Sequence, residues 1–126
     1  MSNVSKGLAR VGVILILVTG LIHLIEAPDS FGEAFYKGLL FCANGLGALV
    51  AAWGIYKGSR TWGWTLGLVI ALGSFLGYVA SRTVGLPGLP PEPDAWLEPM
   101  GVASLIVESL FIAAFLKTKA KEPDTF

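Results

Sequence analysis

Residues 80–108 read ASRTVGLPGLPPEPDAWLEPMGVASLIVE, and the way this stretch breaks and restarts decides the fold. It holds four of the nine acidic residues and five of the seven prolines. It leaves one long apolar run, crosses a segment dense in proline and glycine, and then sets a carboxylate, Glu108, deep in a second apolar run. Proline fixes φ and lacks an N–H. The prolines of residues 81–98 therefore predict no regular helix, but an extended, stiff lid over one end of a bundle. An ionisable group within hydrocarbon is costly and by default marks a functional site.

Outward from this stretch, four apolar runs appear, at about residues 8–25, 38–56, 62–80 and 100–116. Each is close to the ~20 residues that a helix needs to cross ~30 Å of hydrocarbon. The runs are continuous rather than alternating, which favours helices over the strands of a membrane barrel. The predicted fold class is all-α: one domain over residues 1–126, an integral membrane four-helix bundle. Residues 117–126 read as a frayed polar tail.

Composition agrees. Hydrophobic residues make up 54% of the 126 and charged residues 14%, with a mean hydropathy of +0.69; soluble domains carry about 25% charged residues. Zero net charge and the lack of a basic stripe exclude nucleic acid as a partner. One cysteine, Cys42, excludes an internal disulfide and any multi-thiolate metal site. A single histidine, His23, excludes a bis-histidine haem within one chain. The first run lacks an A-x-A-like cleavage site, so it reads as an uncleaved anchor.

The basic residues set the orientation. Lys6, Arg10, Lys57, Arg60, Lys117, Lys119 and Lys121 fall on one side, and only Lys37 and Arg82 on the other. The positive-inside rule then puts both termini in the cytoplasm of a cell whose plasma membrane the chain crosses four times. Trp62, Trp64, Trp96 and Tyr56 are expected in the interfacial aromatic belts. Residues 57–61 form a tight turn, so the second and third helices should be antiparallel neighbours. Residues 26–37 form a short acidic loop on the opposite side.

Helical spacing gathers the polar groups. Thr19, His23 and Glu26 share one face of the first helix, Ser74, Tyr78 and Arg82 one face of the third, and Ser104 and Glu108 one face of the fourth. Asn44 lies with Gly47, Ala48 and Ala51 on a small-residue face of the second. At 1.5 Å per residue, Glu108 falls roughly 13 Å below the start of its helix, near the midplane, and Asn44 roughly 10 Å below the outer end of its own, with Ser74 at a similar level to Asn44. The expected site is a polar pocket in the outer half of the bundle, closed towards the cytoplasm, with His23, Glu26, Asn44, Tyr78, Arg82, Glu98 and Glu108 as members.

Each member has a structural and a functional reading. Arg82 suits a bidentate carboxylate from Glu98, Glu26 or Glu108, either as a pin for the outer loop or as an anion clamp. Without a partner, Glu108 meets a penalty on its charged form, as a proton relay requires; a hydrogen bond to Asn44 or Ser74 is the structural alternative. His23 and Glu26, joined by Glu98 and Glu108, make a metal-ligand set, against a histidine that is simply hydrogen bonded. The glycines read as packing contacts, with Gly73-x-x-x-Gly77 as a dimer face.

His23-Leu24 at the end of the first span, Ser81 to Pro87, Glu98 to Gly101 and the later Glu108 together resemble a group of small four-span bacterial membrane proteins. These are frequent in actinobacteria and relatives and carry a Ser-Arg-Thr-x-Gly-Leu-Pro signature. The resemblance implies the architecture and a polar site, and supplies no chemistry.

Three functions compete: binding or passing a proton, metal ion or small polar solute; an accessory subunit, as a homodimer or in a larger membrane complex; and a membrane enzyme. The sequence requires no cofactor. It lacks a nucleophile–base pair, a second histidine and a Gly-rich phosphate loop, which ranks the enzyme last.

Overall fold

The computed structural model describes the backbone of residues 3–59 and 61–121, with side chains for 6–59 and 61–120. Four helices follow in order: α1 Asn3–Glu33, α2 Phe35–Tyr56, α3 Trp62–Arg82 and α4 Pro99–Lys121. Each is long and apolar enough to cross a membrane.

Glycines set the distances between helices. Gly20 lies against Ala48 and Gly45, Gly45 against Leu24, and Gly38 against Phe31, so α1 and α2 run antiparallel. Gly63 meets the backbone of Gly54 and Ile55, which turns α3 back along α2. Gly67 receives Phe111 and Gly101 receives Tyr78, which turns α4 back along α3. The described ends of α1 and α4 therefore lie at the end of the bundle that carries the α2–α3 turn, here the turn end. The α1–α2 and α3–α4 connections lie at the loop end.

The apolar core sits in the turn-end half. Ile16 and Phe111 are fully buried there, with Ala48, Ala51, Ile55, Trp64 and Ala71 around them. Trp64 stacks on Phe111 at 5.3 Å and covers Gly12. Trp64 is thus a core residue rather than an interfacial one, because Gly12 on α1 leaves room for the indole beside Phe111. Trp62, packed on Trp53 at 6.0 Å, stays exposed as expected.

The outside of the bundle is apolar too. Leu21, Leu46, Val69, Leu76, Ile106 and Leu110 are all more than half exposed. A belt of this kind is unusual on a soluble monomer and suits contact with hydrocarbon.

Four further corrections concern the two loops, the tail and a pair of glycines. The acidic loop at 26–37 shrinks to Ala34 alone, in extended conformation (φ −161°, ψ 139°). α1 runs through Pro28 to Glu33, since the proline withholds one N–H while the buried Ala27 and Ser30 keep that turn packed. The 117–126 tail is helical to Lys121, and residues 122–126, like Arg60, lie outside the described residues.

The third correction concerns the proline-rich lid, which folds back on itself. Leu86-Pro87-Gly88-Leu89 closes a turn with paired bonds between Leu86 and Leu89, and Gly88 takes φ 74°. Proline at the second position and a positive-φ glycine at the third define a type II turn. Pro93–Ala95 adds one 3-10 turn before α4. Finally, a Cβ on Gly73 or Gly77 would meet nothing within 4 Å, so these two glycines make no packing contact among the described residues.

Candidate functional site

Hydrogen bonds divide the expected pocket residues into groups at three depths. The uppermost is the lid anchor. Arg82 donates from Nε and Nη2 to Ala95 O (3.3 and 3.2 Å) and from Nη1 to Ser81 Oγ (2.8 Å). It stands 3.6 Å from Glu98 Oε2 and lies over the Tyr78 ring at 4.0 Å. The Tyr78 hydroxyl donates to Trp96 O at 2.7 Å.

The motif of residues 81–87 thus has an architectural job. Ser81 O accepts from Glu92 N, Gly85 N returns to Ala80 O with φ 88°, and Pro87 opens the type II turn. Of the three carboxylates weighed for Arg82, Glu98 is the partner. Glu26, half-buried on α1, lies within electrostatic reach of Glu98, Asp29, Lys37 and Arg82.

The middle level has two separate parts. On the α1–α2 side, His23 is buried, its ring 4.9 Å from Phe41. Its Nδ1 is 2.9 Å from Thr19 O. A carbonyl only accepts, so Nδ1 carries the hydrogen and Nε2 keeps its lone pair. On the α2–α3 side, Asn44 Nδ2 donates to Ser74 Oγ, which donates to Ile70 O at 2.8 Å. Asn44 Oδ1 is buried without a partner among the described residues.

Glu108 lies deepest. It is 1% exposed, its Oε2 accepts from Ser104 Oγ, and its Oε1 has no partner among the described residues. The structural alternative of a bond to Asn44 or Ser74 is not formed. The register of the helices explains why. Gly67 against Phe111 and Gly101 against Tyr78 bring Glu108 level with the Gly67–Ala71 part of α3, about 9 Å closer to the turn end than Ser74. The sequence reading sets Glu108 only about 3 Å deeper than Asn44; the separation is larger, because α4 begins about a turn below the end of α3.

The same contacts put Glu108 level with Ala51 of α2 and with the Ile16–Thr19 turn of α1, the middle of all four apolar runs. Arg82 stands about 20 Å away along the axis, too far to be its counter-ion.

Among the described residues, no group of three or more His, Cys, Asp and Glu side chains is placed to hold a metal ion. The set His23, Glu26, Glu98 and Glu108 is spread along the bundle instead of converging. An apolar groove of about 250 Å³ opens between α1 and α2, lined by Leu17, Gly20, Leu21, Leu24, Ala48 and Leu49 among others. It faces outward rather than into the polar column.

One structural residue escaped the sequence reading. The Tyr36 hydroxyl, at the first turn of α2, donates to Pro87 O at 2.6 Å and ties the lid to the far side of the bundle. The only signal was a tyrosine beside the loop end.

The fold and site define a four-helix, multi-pass bundle, by length and composition, with an uncompensated carboxyl at mid-depth. Comparison with protein families, with curated proteins and with solved structures finds no match to this chain.

Proposed function

We propose that the bundle binds or passes a proton, a metal ion or a small polar solute at a site built on Glu108, without catalysis of its own. One observation carries the reading: a carboxyl 1% exposed at mid-depth, with one oxygen unpartnered among the described residues. A charged group at the centre of a bilayer costs a few kcal/mol or more, and Glu108 adds nothing to packing that a leucine would not. The chain is read as a plasma-membrane protein of the four-span bacterial group that carries the Ser-Arg-Thr-x-Gly-Leu-Pro signature. Lys6, Arg10, Lys57, Lys117 and Lys119 at the turn end support a cytoplasmic location for both termini.

The test is flux in sealed vesicles that hold the full chain, with proton, zinc and small-solute probes. A flux that the wild type supports and Glu108→Gln loses is the expected result. Flux of no probe removes passage from the reading, and flux unchanged by the substitution removes Glu108 from its site; with no flux and no binding of any probe that depends on Glu108, the reading is overturned.

A second reading, an accessory subunit or homodimer, draws on the open face at Gly73 and Gly77, flanked by exposed Leu72 and Leu76. It predicts that Gly73→Leu leaves the isolated chain folded but abolishes co-purification with a second chain. A Gly73→Leu chain that keeps its partners removes that face from consideration.

A further inference from the structure

We infer that the species taken by Glu108 is a proton, and that it arrives from the loop end along the buried face of α1. The inference rests on the reading of Glu108 as the centre of the site and names its cargo and its side of access.

The surroundings of Glu108 select the cargo. On its own helix Ser104 offers one hydroxyl. From α1, Thr19 lies at its level with the hydroxyl spent on Leu15 O at 3.0 Å, and His23 and Glu26 follow towards the loop end. From α2 and α3 come Ala48, Ala51, Gly67 and Ala71, with no titratable side chain at that depth. The described ion pairs, Lys37–Glu33 and Arg82–Glu98, are both at the loop end. A metal ion needs several oxygen or nitrogen ligands, and a solute needs several donors and acceptors. A proton needs only the carboxylate oxygen.

The two ends of the bundle select the direction. Towards the turn end the column is closed by Ile16 and Phe111, both 0% exposed, with Trp64 and Ile55 behind them. Towards the loop end it continues through Thr19 to His23, about 8 Å away along the axis, and on to Glu26 beneath Glu98 and Arg82. With Nδ1 committed to Thr19 O, the His23 nitrogen free to accept is Nε2, and it makes no hydrogen bond among the described residues.

The step balances without a redox partner. Hydronium at the loop end gives a proton to His23 Nε2, so an O–H bond breaks and an N–H bond forms. The imidazolium then passes that proton, through water or the Ser104 hydroxyl, to the Glu108 carboxylate. The N–H bond is lost, an O–H bond forms on the carboxyl, and both groups end neutral.

Infrared spectroscopy of the full chain in lipid vesicles tests this. The protonated carboxyl of Glu108 gives a C=O band that fades as pH rises, moves in Glu108→Asp and is absent in Glu108→Gln. Transfer into heavy water shifts this band as O–H becomes O–D, and His23→Ala slows that shift about tenfold or more without removing the band. His23→Gln, equally neutral but unable to carry a proton, slows it likewise, which a purely structural histidine would not do. A band unchanged in Glu108→Gln overturns the proton assignment, and an exchange rate unchanged in both His23 variants overturns the route. Zinc or solute flux that needs Glu108 when no such band exists would sink this inference yet leave the broader reading standing. A band with no flux of any probe would keep the proton assignment and strip passage from the broader reading, leaving a proton-binding site in a bundle that passes nothing.

Discussion

The two halves of the bundle are held by different forces. In the turn-end half, glycines and alanines bring helices together and Trp64 and Phe111 fill what remains. In hydrocarbon no hydrophobic effect drives helices together, so shape and dispersion hold this half. The loop-end half has glycine contacts as well, Phe31 on Gly38, Leu24 on Gly45 and Tyr78 on Gly101, and adds directed bonds: Arg82 to Ala95 and Glu98, Tyr78 to Trp96, Tyr36 to Pro87, Asn44 to Ser74. The turn-end half rests mainly on packed volume, whereas the loop-end half depends on its donors as well. Glu108 stands where they meet, with the polar column on one side and the plug on the other.

The largest effect should come from forcing volume into the turn-end half. A Cβ at Gly63 would sit 2.8 Å from Ile55 N, a backbone atom that cannot swing away. Gly63→Val should lose about 3 kcal/mol, since α2 and α3 must separate. Reversible unfolding in mixed micelles measures this, and a loss under half that size would mean the crossing is not rigid.

Removing volume from the same half comes next. Phe111→Ala should cost about 2 kcal/mol, mainly from the cavity, because an exposed phenyl meets lipid rather than water in the unfolded reference. A value near zero would show that the plug collapses around the gap.

The loop-end half answers to lost donors. Arg82→Gln removes the Glu98 pair and the contact with the Tyr78 ring, for a cost of about 1–2 kcal/mol. The comparison sharpens if the effect is local: protease cleavage within residues 86–92 should speed up while unfolding of the helices hardly changes. Cleavage as slow as in the wild type would deny Arg82 its role as lid anchor.

The smallest effect belongs to Tyr36→Phe, which deletes only the bond to Pro87 O, about 1 kcal/mol. Amide exchange at Leu86 and Leu89, whose N–H groups close the lid turn, should quicken if that bond restrains it. Unchanged exchange would mean that the turn holds itself.

Much of the site could be read before any coordinates. The Ser104–Glu108 bond follows from i, i+4 spacing on one helix, as does the buried face shared by Thr19 and His23. Partners on different helices were harder. Three carboxylates were open to Arg82 and only Glu98 is reached, because α4 starts a turn below the end of α3. Tyr36 gave no usable sign, since its acceptor is a backbone carbonyl in a distant loop. The four-ligand metal set failed for the same reason, as positions that look close on helical wheels lie at different depths.

Sequence alone determined the number of spanning helices, the turn at residues 57–61, the glycine and proline positions of the lid, and which face of each helix is polar. These depend on local rules: hydropathy over ~20 residues, the 3.6-residue period, and the backbone limits of proline and glycine. The tertiary structure decided the axial register between helices, and with it that Glu108 is isolated at mid-depth, that Arg82 holds the lid, and that Trp64 is core. Register comes from how side chains from two helices fit into each other's glycine gaps, a property of pairs of surfaces that no single stretch of chain contains.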